Sequence, residues 1–556
     1  MKYKFEKENL ISKMKINPLL TKIEPDFINQ YLTTCGIENV KQYLAADKSN
    51  YDNPFDYPNM EQAVELTHQA IKDNLKTGIV IDSDMDGYCS AAIVYQFLHV
   101  LKPNLNIQVF SHKGKQHGLR DILNEIINSK IEFLIVPDAG TNNIQECQTL
   151  SDKGISILIL DHHEIENENP YATVVNHHLG TNLNTKLSGT GVVDKWVRAY
   201  CSKFEIEYPG YEDLVAVSII TDVCSLVSLE NRTYLANGLY KLEFSNPFIE
   251  YLLNKNCFRG INSEGISFGI APLANSLARS KFEEKKTIFF DELVGNGVGE
   301  QETLKELKSI KKIQDDKAKT ITENIKSNIN LDHKAIIEFI DSEDAPFTGL
   351  IAGRLAGEYH KPCIILRELN PGVYSGSMRS PVDIGDKINE TNLAKCMGHK
   401  AACGVVVKKS NLKKLIDWLD TLDLDIHPAE PVTAAIKPNQ ITMSLCDDCF
   451  NNKTLWGKDI PEPEFYCEIE LKNSEIQILG KNQNTIKFAK DGVEFIKFRA
   501  DESLINAMTS TPSFQLNIIC KLNVNEWQGQ KTKQCYIEKY EFLPMNKEKL
   551  NFEDIF

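Results

Sequence analysis

Gly78-Ile79-Val80-Ile81-Asp82-Ser83-Asp84-Met85-Asp86-Gly87 is the stretch on which the fold turns. Its first half is a short apolar run of strand type. Its second half places three carboxylates at alternate positions. On an extended strand, alternate residues face one side, and a loop leaving the strand can gather all three around one point. Close carboxylates repel one another and coexist only with a cation or a proton between them. Read alone, the stretch suits either a metal site or a solvated acidic turn.

The neighbouring apolar runs favour the metal. Ile131–Val136 is followed by Asp138 and a Gly140 turn, and Ile157–Leu160 runs into Asp161-His162-His163. Leu214–Ile220 leads to Asp222, although its helical periodicity leaves helix or strand open. Ser90–Leu101 has helical spacing. Buried strands alternating with helices predict an α/β fold with a mostly parallel sheet, whose ligands collect at the carboxyl ends of the strands. Four such sites, each ending an apolar run, are more than helix caps explain. Carboxylates with one or two histidines and no cysteine suit Mn²⁺ or Mg²⁺ better than a structural zinc. Two such ions sharing a carboxylate and a water activate that water and clamp a phosphate oxygen. The implied chemistry is phosphoester hydrolysis.

The full length of 556 residues predicts about three or four domains. Apolar residues at 42% and charged residues at 25% are ordinary for a folded chain. The net charge of −15 argues against a generic basic coat for nucleic acid. No stretch approaches the ~20 apolar residues of a membrane helix, and the N-terminus is charged where a secretion signal is apolar, so a cytoplasmic protein is expected. The 14 cysteines are scattered. Only Cys446 and Cys449 form a C-x-x-C, and reduced thiols are favoured there over zinc.

Residues 1–70 read as a helical N-terminal segment. Residues 300–330, with Leu304, Leu307, Ile310, Ile313, Ile321 and Ile325, read as a long amphipathic helix connecting two lobes. A packed core helix is the alternative. His427-Pro-Ala-Glu-Pro-Val reads as a linker, and the alternating segments beyond Glu464 predict a small C-terminal β-barrel.

These motifs resemble the DHH phosphoesterase family, named for the triplet seen here as Asp161-His162-His163. Asp82-x-Asp84-x-Asp86-Gly87, Asp138 and Asp222 match its other metal motifs. Within the family, the chain is similar to the RecJ-type single-strand-specific exonucleases. That likeness rests on Leu187-Ser-Gly-Thr-Gly191, Asn231-Arg232, Pro272-x-x-Asn275-x-x-x-Arg279, Gly376-Ser377-Met-Arg379-Ser380, Gly398-His399 through Gly404, Leu455-Trp-Gly457 and Trp527-Gln-Gly529. It implies a DHH catalytic domain over 71–245, a connecting helical region over 246–333, a DHH-associated substrate-binding domain over 334–426 and an OB-like nucleic-acid-binding domain over 427–556. Leu273, Met397, Ala278, His117 and His112 depart from the usual pattern at substrate-contact positions, which implies a diverged member of phage or mobile-element type.

The resemblance also implies roles. Asp84 and Asp138 hold one ion, assisted by Asp82. Asp86, Asp138, His162 and Asp222 hold the other, with Asp138 bridging. Asp161 orients an imidazole, and His163 faces the scissile phosphate, so Asp82, Asp161 and His163 are the expected catalytic residues. Asn275, Arg279, Ser377, Arg379, Ser380, Gly398 and His399 are expected to hold substrate. A surface ion pair for Arg279 and a buried, backbone-paired ring for His399 are the bland alternatives. Trp527 and Phe465 stack on bases or pack in the barrel core, the core being favoured.

The expected activity is Mn²⁺- or Mg²⁺-dependent 5′→3′ hydrolysis of single-stranded DNA in recombination or repair. The expected molecule is a monomer that meets single-strand-binding protein or helicase and no membrane. The rivals are a phosphodiesterase of short RNA or cyclic dinucleotides and a non-enzymatic replication scaffold. The acidic tip Phe552–Phe556 reads as a docking peptide or as a plain terminus, the latter favoured. Locally the charge is uneven: residues 372–414 carry eight Lys/Arg against three Asp/Glu. An acidic metal centre faced by a basic lobe is therefore expected.

Overall fold

The apolar run before the three carboxylates becomes an inner strand of an all-parallel sheet. The computed structural model describes residues 14–16, 20, 23, 26–112, 114, 116–240, 244–280, 285–327, 329–423 and 430–545. The tip at Phe552–Phe556 and the first half of the linker at 427–432 lie outside them. Contacts part the chain into two units, Ala46–His427 and Met1–Ala45 with Pro428–Phe556.

In the larger unit, β1 (Thr77–Ile81) is followed by α1 (Met85–Leu101), β2 (Ile107–Ser111), β3 (Phe133–Pro137), β4 (Ser156–Leu160) and β5 (Thr173–Val175). The sheet order is β2-β1-β3-β4-β5, parallel throughout. Every residue of β1 and β3 is buried, which is why these strands read as unbroken Ile, Val and Leu rather than as an alternation. The connections run one way from β1 to β2 and the other way to β3. That reversal opens a crevice at the carboxyl ends of β1 and β3, where Asp82 and Asp138 stand.

Two helices close over this crevice, α2 (Gly189–Lys203) and α3 (Glu212–Thr221). The run 214–220 is thus a helix. Leu214–Ile220 is buried on every side, so it lacks the polar stripe that would have distinguished it from a strand.

A short helix, α4 (Ala271–Ala278), leads to α5 (Glu300–Lys326). The expected connector is real: α5 packs against α4 and also against α6 (Thr348–Tyr359) of the second lobe. Ala318 and Ile325 join Ile351 and Leu355 in that lobe's core. Ile313, one of the predicted stripe residues, is exposed instead. The second lobe's sheet runs β9 (Ala394–His399), β10 (Ala402–Lys408), β8 (Val373–Arg379), β7 (Cys363–Asn370), β6 (Ile336–Phe339). Only the β6–β7 pair is parallel.

The smaller unit is built on a seven-stranded sheet dominated by two 15-residue strands, Ser513–Trp527 and Gln530–Pro544. The helix Phe27–Thr34 packs into it: the Phe27 and Phe465 rings lie 5.8 Å apart, and Tyr31 donates to the Pro461 carbonyl at 2.8 Å. Phe465 is fully buried and Trp527 is 72% exposed, so of the two only Trp527 presents a free ring. Cys446 and Cys449 are buried free thiols on the helix Met443–Asn451. Among the described residues, no cluster able to hold a metal contains a cysteine, and no helix is long and apolar enough to cross a membrane.

Candidate active site

Each acidic residue of the sheet end is placed by backbone geometry. Asp84 caps α1, its side chain accepting from the Gly87 amide at 3.1 Å. Asp86 lies in the first turn of α1 and is gripped by the N-terminus of α2. It accepts from the amides of Gly189 and Thr190 at 2.8 Å each, from the Thr190 hydroxyl and from Ser218 Oγ at 2.8 Å. A helix N-terminus presents unpaired amides and a positive dipole end, and here a carboxylate of the chain itself satisfies them. Asp138 follows β3 at φ +60°, its amide donating to the Leu160 carbonyl at 2.8 Å. Asp222 ends α3 as its C-cap.

These groups converge. The ligand atoms of Asp138, Asp161, His162 and His163 form one cluster, those of Asp86, His162 and Asp222 a second, and those of Asp82, Asp84 and His117 a third. Within each cluster every ligand atom lies within 4.8 Å of the others. His162 Nε2 is 3.3 Å from Asp138 Oδ1 and 3.9 Å from both Asp86 Oδ2 and Asp222 Oδ2. Two carboxylate oxygens, Asp82 Oδ1 and Asp138 Oδ1, are buried with no hydrogen-bond partner. Buried anionic oxygens in that condition call for a cation. Nor is there room to change the packing. A Cβ on Gly189 would stand 2.2 Å from Asp138 Oδ1, so only glycine lets α2 approach the site this closely. The donor set and the orphaned oxygens fit divalent ions of the Mn²⁺ or Mg²⁺ kind.

Electrostatics point the same way. Burial, then the charges of Asp86, Asp84, Asp82 and Asp222, push the Asp138 carboxyl far above its ordinary range. Burial and Asp86 raise Asp222 to about 7. Asp84 rises through burial and its two acidic neighbours, Asp82 and Asp86. Asp161 is the exception. Burial favours its neutral form, but hydrogen bonding from His163 and the nearby imidazoles hold it well below its usual value. It accepts from His163 Nδ1 at 2.8 Å and from the His162 and Thr141 amides at 2.7 and 3.1 Å. Burial opposes charge on His163, but Asp161 outweighs it and raises the ring to about 9.

Arg279 follows α4, ahead of the connecting helix, and Arg379 ends β8 of the second lobe. Burial and the charge of Arg379 both weaken the hold of Arg279 on its proton, so the two guanidiniums sense each other. Arg279 donates to the Asn275 carbonyl at 3.1 Å and Arg379 to the Met378 carbonyl at 2.7 Å. Asn275 is half-buried on α4. Gly398 adopts φ +110°. The side chain of His399 lies outside what the structure describes. Two expected substrate hydroxyls are already engaged: Ser377 Oγ lies 2.9 Å from Thr348 Oγ1, and Ser380 donates to the Val382 carbonyl at 2.6 Å. Ser380 therefore has no proton left for a phosphate.

Sequence reasoning overlooked the clamp on Asp86. A Ser188 N-cap before Gly-Thr-Gly signals an exposed helix N-terminus, but only the fold shows which anion fills it. It also treated His117 as a mere departure, whereas His117 stands against Asp82, its Nδ1 2.6 Å from Asp82 Oδ2.

The DHH family N-terminal domain matches residues 76–219, and the RecJ OB domain matches 432–539. A SPbeta prophage-derived protein of Bacillus subtilis, named as a single-strand DNA-specific exonuclease, is 29% identical over 93% of this chain and 96% of its own length. RecJ of Bacillus subtilis is 22% identical over 96% of this chain and 69% of its own. The crystal structure of Thermus thermophilus RecJ with Mn²⁺ superposes with a TM-score of 0.72 at 20% identity, covering 87% of this chain and 72% of that one. The chain thus carries a match to the DHH N-terminal domain and a match to the RecJ OB domain, and its fold is similar to that of RecJ.

Proposed function

We propose that this protein is a two-metal exonuclease that hydrolyses phosphodiester bonds of single-stranded DNA from the 5′ end. The observation that carries the reading is Asp138 Oδ1, buried, unpartnered and 3.3 Å from His162 Nε2 in the field of four further carboxylates. Asp84 and Asp138, assisted by Asp82, hold one ion, and Asp86, Asp138, His162 and Asp222 hold the other. When bound, Mn²⁺ or Mg²⁺ supplies a Lewis acid for the phosphate oxygen and an acidified water as nucleophile.

The chain's own residues supply the remaining functions. Asp161 fixes the His163 ring through Nδ1 and leaves Nε2 for the scissile phosphate, where a protonated imidazole stabilises charge or protonates the leaving oxygen. Arg279 and Arg379 hold a backbone phosphate, whose charge relieves their mutual repulsion. In the OB domain, exposed Trp527 offers a stacking face to a base. The domain spans 71–245, 246–333, 334–426 and 427–556 belong to this reading. So do a cytoplasmic location, a monomeric state and an encounter with single-strand-binding protein or helicase on the strand.

The test uses single strands of DNA and RNA labelled at either end, with Mn²⁺. Mononucleotides released from the 5′ end of DNA are expected. Cutting of RNA alone, or digestion only from the 3′ end, overturns the reading.

A further inference from the structure

The loop that leaves β2 carries two histidines to the edge of the metal site. His117 is held in place from both sides. Ser83 Oγ, at the end of β1, donates to the Gln116 carbonyl at 2.7 Å. Gly118 takes φ +78°, where an added Cβ would stand 2.1 Å from Asn143 Oδ1. Between these anchors, His117 Nδ1 meets Asp82 Oδ2 at 2.6 Å, and its ligand atom lies within 4.8 Å of those of Asp82 and Asp84. On the other side of Asp82 stands buried His112. Its Nδ1 is 2.8 Å from Asp121 Oδ1, the carboxylate–imidazole pairing that orients a ring. Its Nε2 lies 3.6 Å from Asp82 Oδ1, beyond hydrogen-bond range, and neither atom has a hydrogen-bond partner. Asp82 thus sits between two imidazoles with one oxygen unsatisfied, beside the ion position shared with Asp84.

We propose that His117 is a ligand of the ion held by Asp82 and Asp84, and that it makes this position selective for Mn²⁺ over Mg²⁺. The proposal deepens the two-metal reading above and rests on it. Mn²⁺ shares the carboxylate preference of Mg²⁺ but, as a first-row transition ion, accepts an imidazole nitrogen more readily than Mg²⁺, which keeps to oxygen donors and retained water. His117 is half-exposed on a loop, so replacing it removes a donor without opening the core. His162 serves the other ion, which leaves each ion with one imidazole from a different loop of the sheet end.

The test titrates Mn²⁺ and Mg²⁺ separately into the metal-free full chain by calorimetry, using wild type, His117→Ala and His117→Gln. In both variants Mn²⁺ affinity at one of two sites is expected to fall ~10–100-fold while Mg²⁺ affinity changes less than about threefold. Pulsed electron paramagnetic resonance on Mn²⁺-loaded His162→Ala protein is expected to show nitrogen coupling, lost in the His162→Ala/His117→Ala double variant. Equal losses for the two metals, no loss for either, or nitrogen coupling that survives in the double variant overturns the assignment. Wild-type protein that binds neither metal would remove the two-metal reading itself, an outcome distinct from failure of His117 alone.

Discussion

The sheet end and the arginine pair are electrostatic opposites built on one plan. At the sheet end, burial and like charge raise the carboxyls of Asp84, Asp138 and Asp222. At the arginine pair, burial and like charge loosen the proton on Arg279. Each region is strained by its own charge, and each is relieved by a ligand of the opposite sign. The difference lies in how far each is committed. These carboxylates are anchored at a strand end, at the N-cap of α1 and at the C-cap of α3, so they cannot move apart. The guanidiniums are half-buried side chains with backbone acceptors beside them. On the proposed reading, cations would be structural for the first region, while phosphate would be only a guest of the second.

The sharpest way to break this comparison is Asp138→Asn. Nuclease activity is expected to fall on the order of a thousandfold or more, the scale of losing transition-state charge stabilisation. The metal-free variant should melt higher than metal-free wild type, because a buried like charge is gone, and Mn²⁺ should no longer raise its melting point. Retained activity would show that Asp138 is not the centre of the site.

Next comes Gly189→Ala, whose methyl has no space beside Asp138. A loss of about 1–3 kcal/mol in stability is expected from the overpacking, with weaker Mn²⁺ binding by calorimetry. Unchanged metal affinity would mean that α2 can back away from the site.

On the opposite side, Arg379→Ala is expected to lose about 1.5–3 kcal/mol of substrate binding, roughly ten- to a hundredfold in KM, with a smaller effect on kcat. A loss confined to kcat would move Arg379 from holding the strand to the reaction itself.

A gentler probe is pH. The folded, metal-free chain keeps protons that the unfolded chain releases, since Asp222 rises from 3.8 to about 7. The Asp222 contribution to stability without metal should therefore be fully present below the unfolded carboxylate range. That contribution should decline as pH climbs from about 4 to 7 and then level off. Mn²⁺ should flatten that decline, and its affinity should rise over the same interval as it displaces those protons. Melting curves with EDTA or Mn²⁺ at pH 5 and pH 8 check this, and a metal-free protein more stable at pH 8 would contradict it.

The smallest expected effect is from Ser380→Ala. Its proton is engaged with Val382, so activity on single strands should change by less than about threefold, the scale of a net hydrogen bond or less. A loss as large as that of Arg379→Ala would place the hydroxyl on the substrate after all.

Much of this was legible in the chain. Unbroken apolar runs ending in Asp82, Asp138 and Asp161 already describe a buried parallel sheet with ligands at its carboxyl edge, because only strands covered on both faces lose their alternation. The connector helix was visible from its stripe. The helix over Glu212–Thr221 was ambiguous for the same reason the strands were clear: burial on all sides erases periodicity. Phe465 and Trp527 looked alike until the barrel buried one and exposed the other.

By itself, then, the sequence determined the residue types of the candidate metal centre, the alternation of strands and helices around the sheet, and the family the chain resembles. Those properties depend on local pattern, on spacing and on the chemistry of single side chains. The tertiary structure alone decided which groups meet: the grip of α2 on Asp86, the orphaned oxygens of Asp82 and Asp138, and the approach of His117 to Asp82. These are contacts between segments distant in the chain, set by packing and by the glycines that permit close approach. No local pattern encodes a distance across a fold.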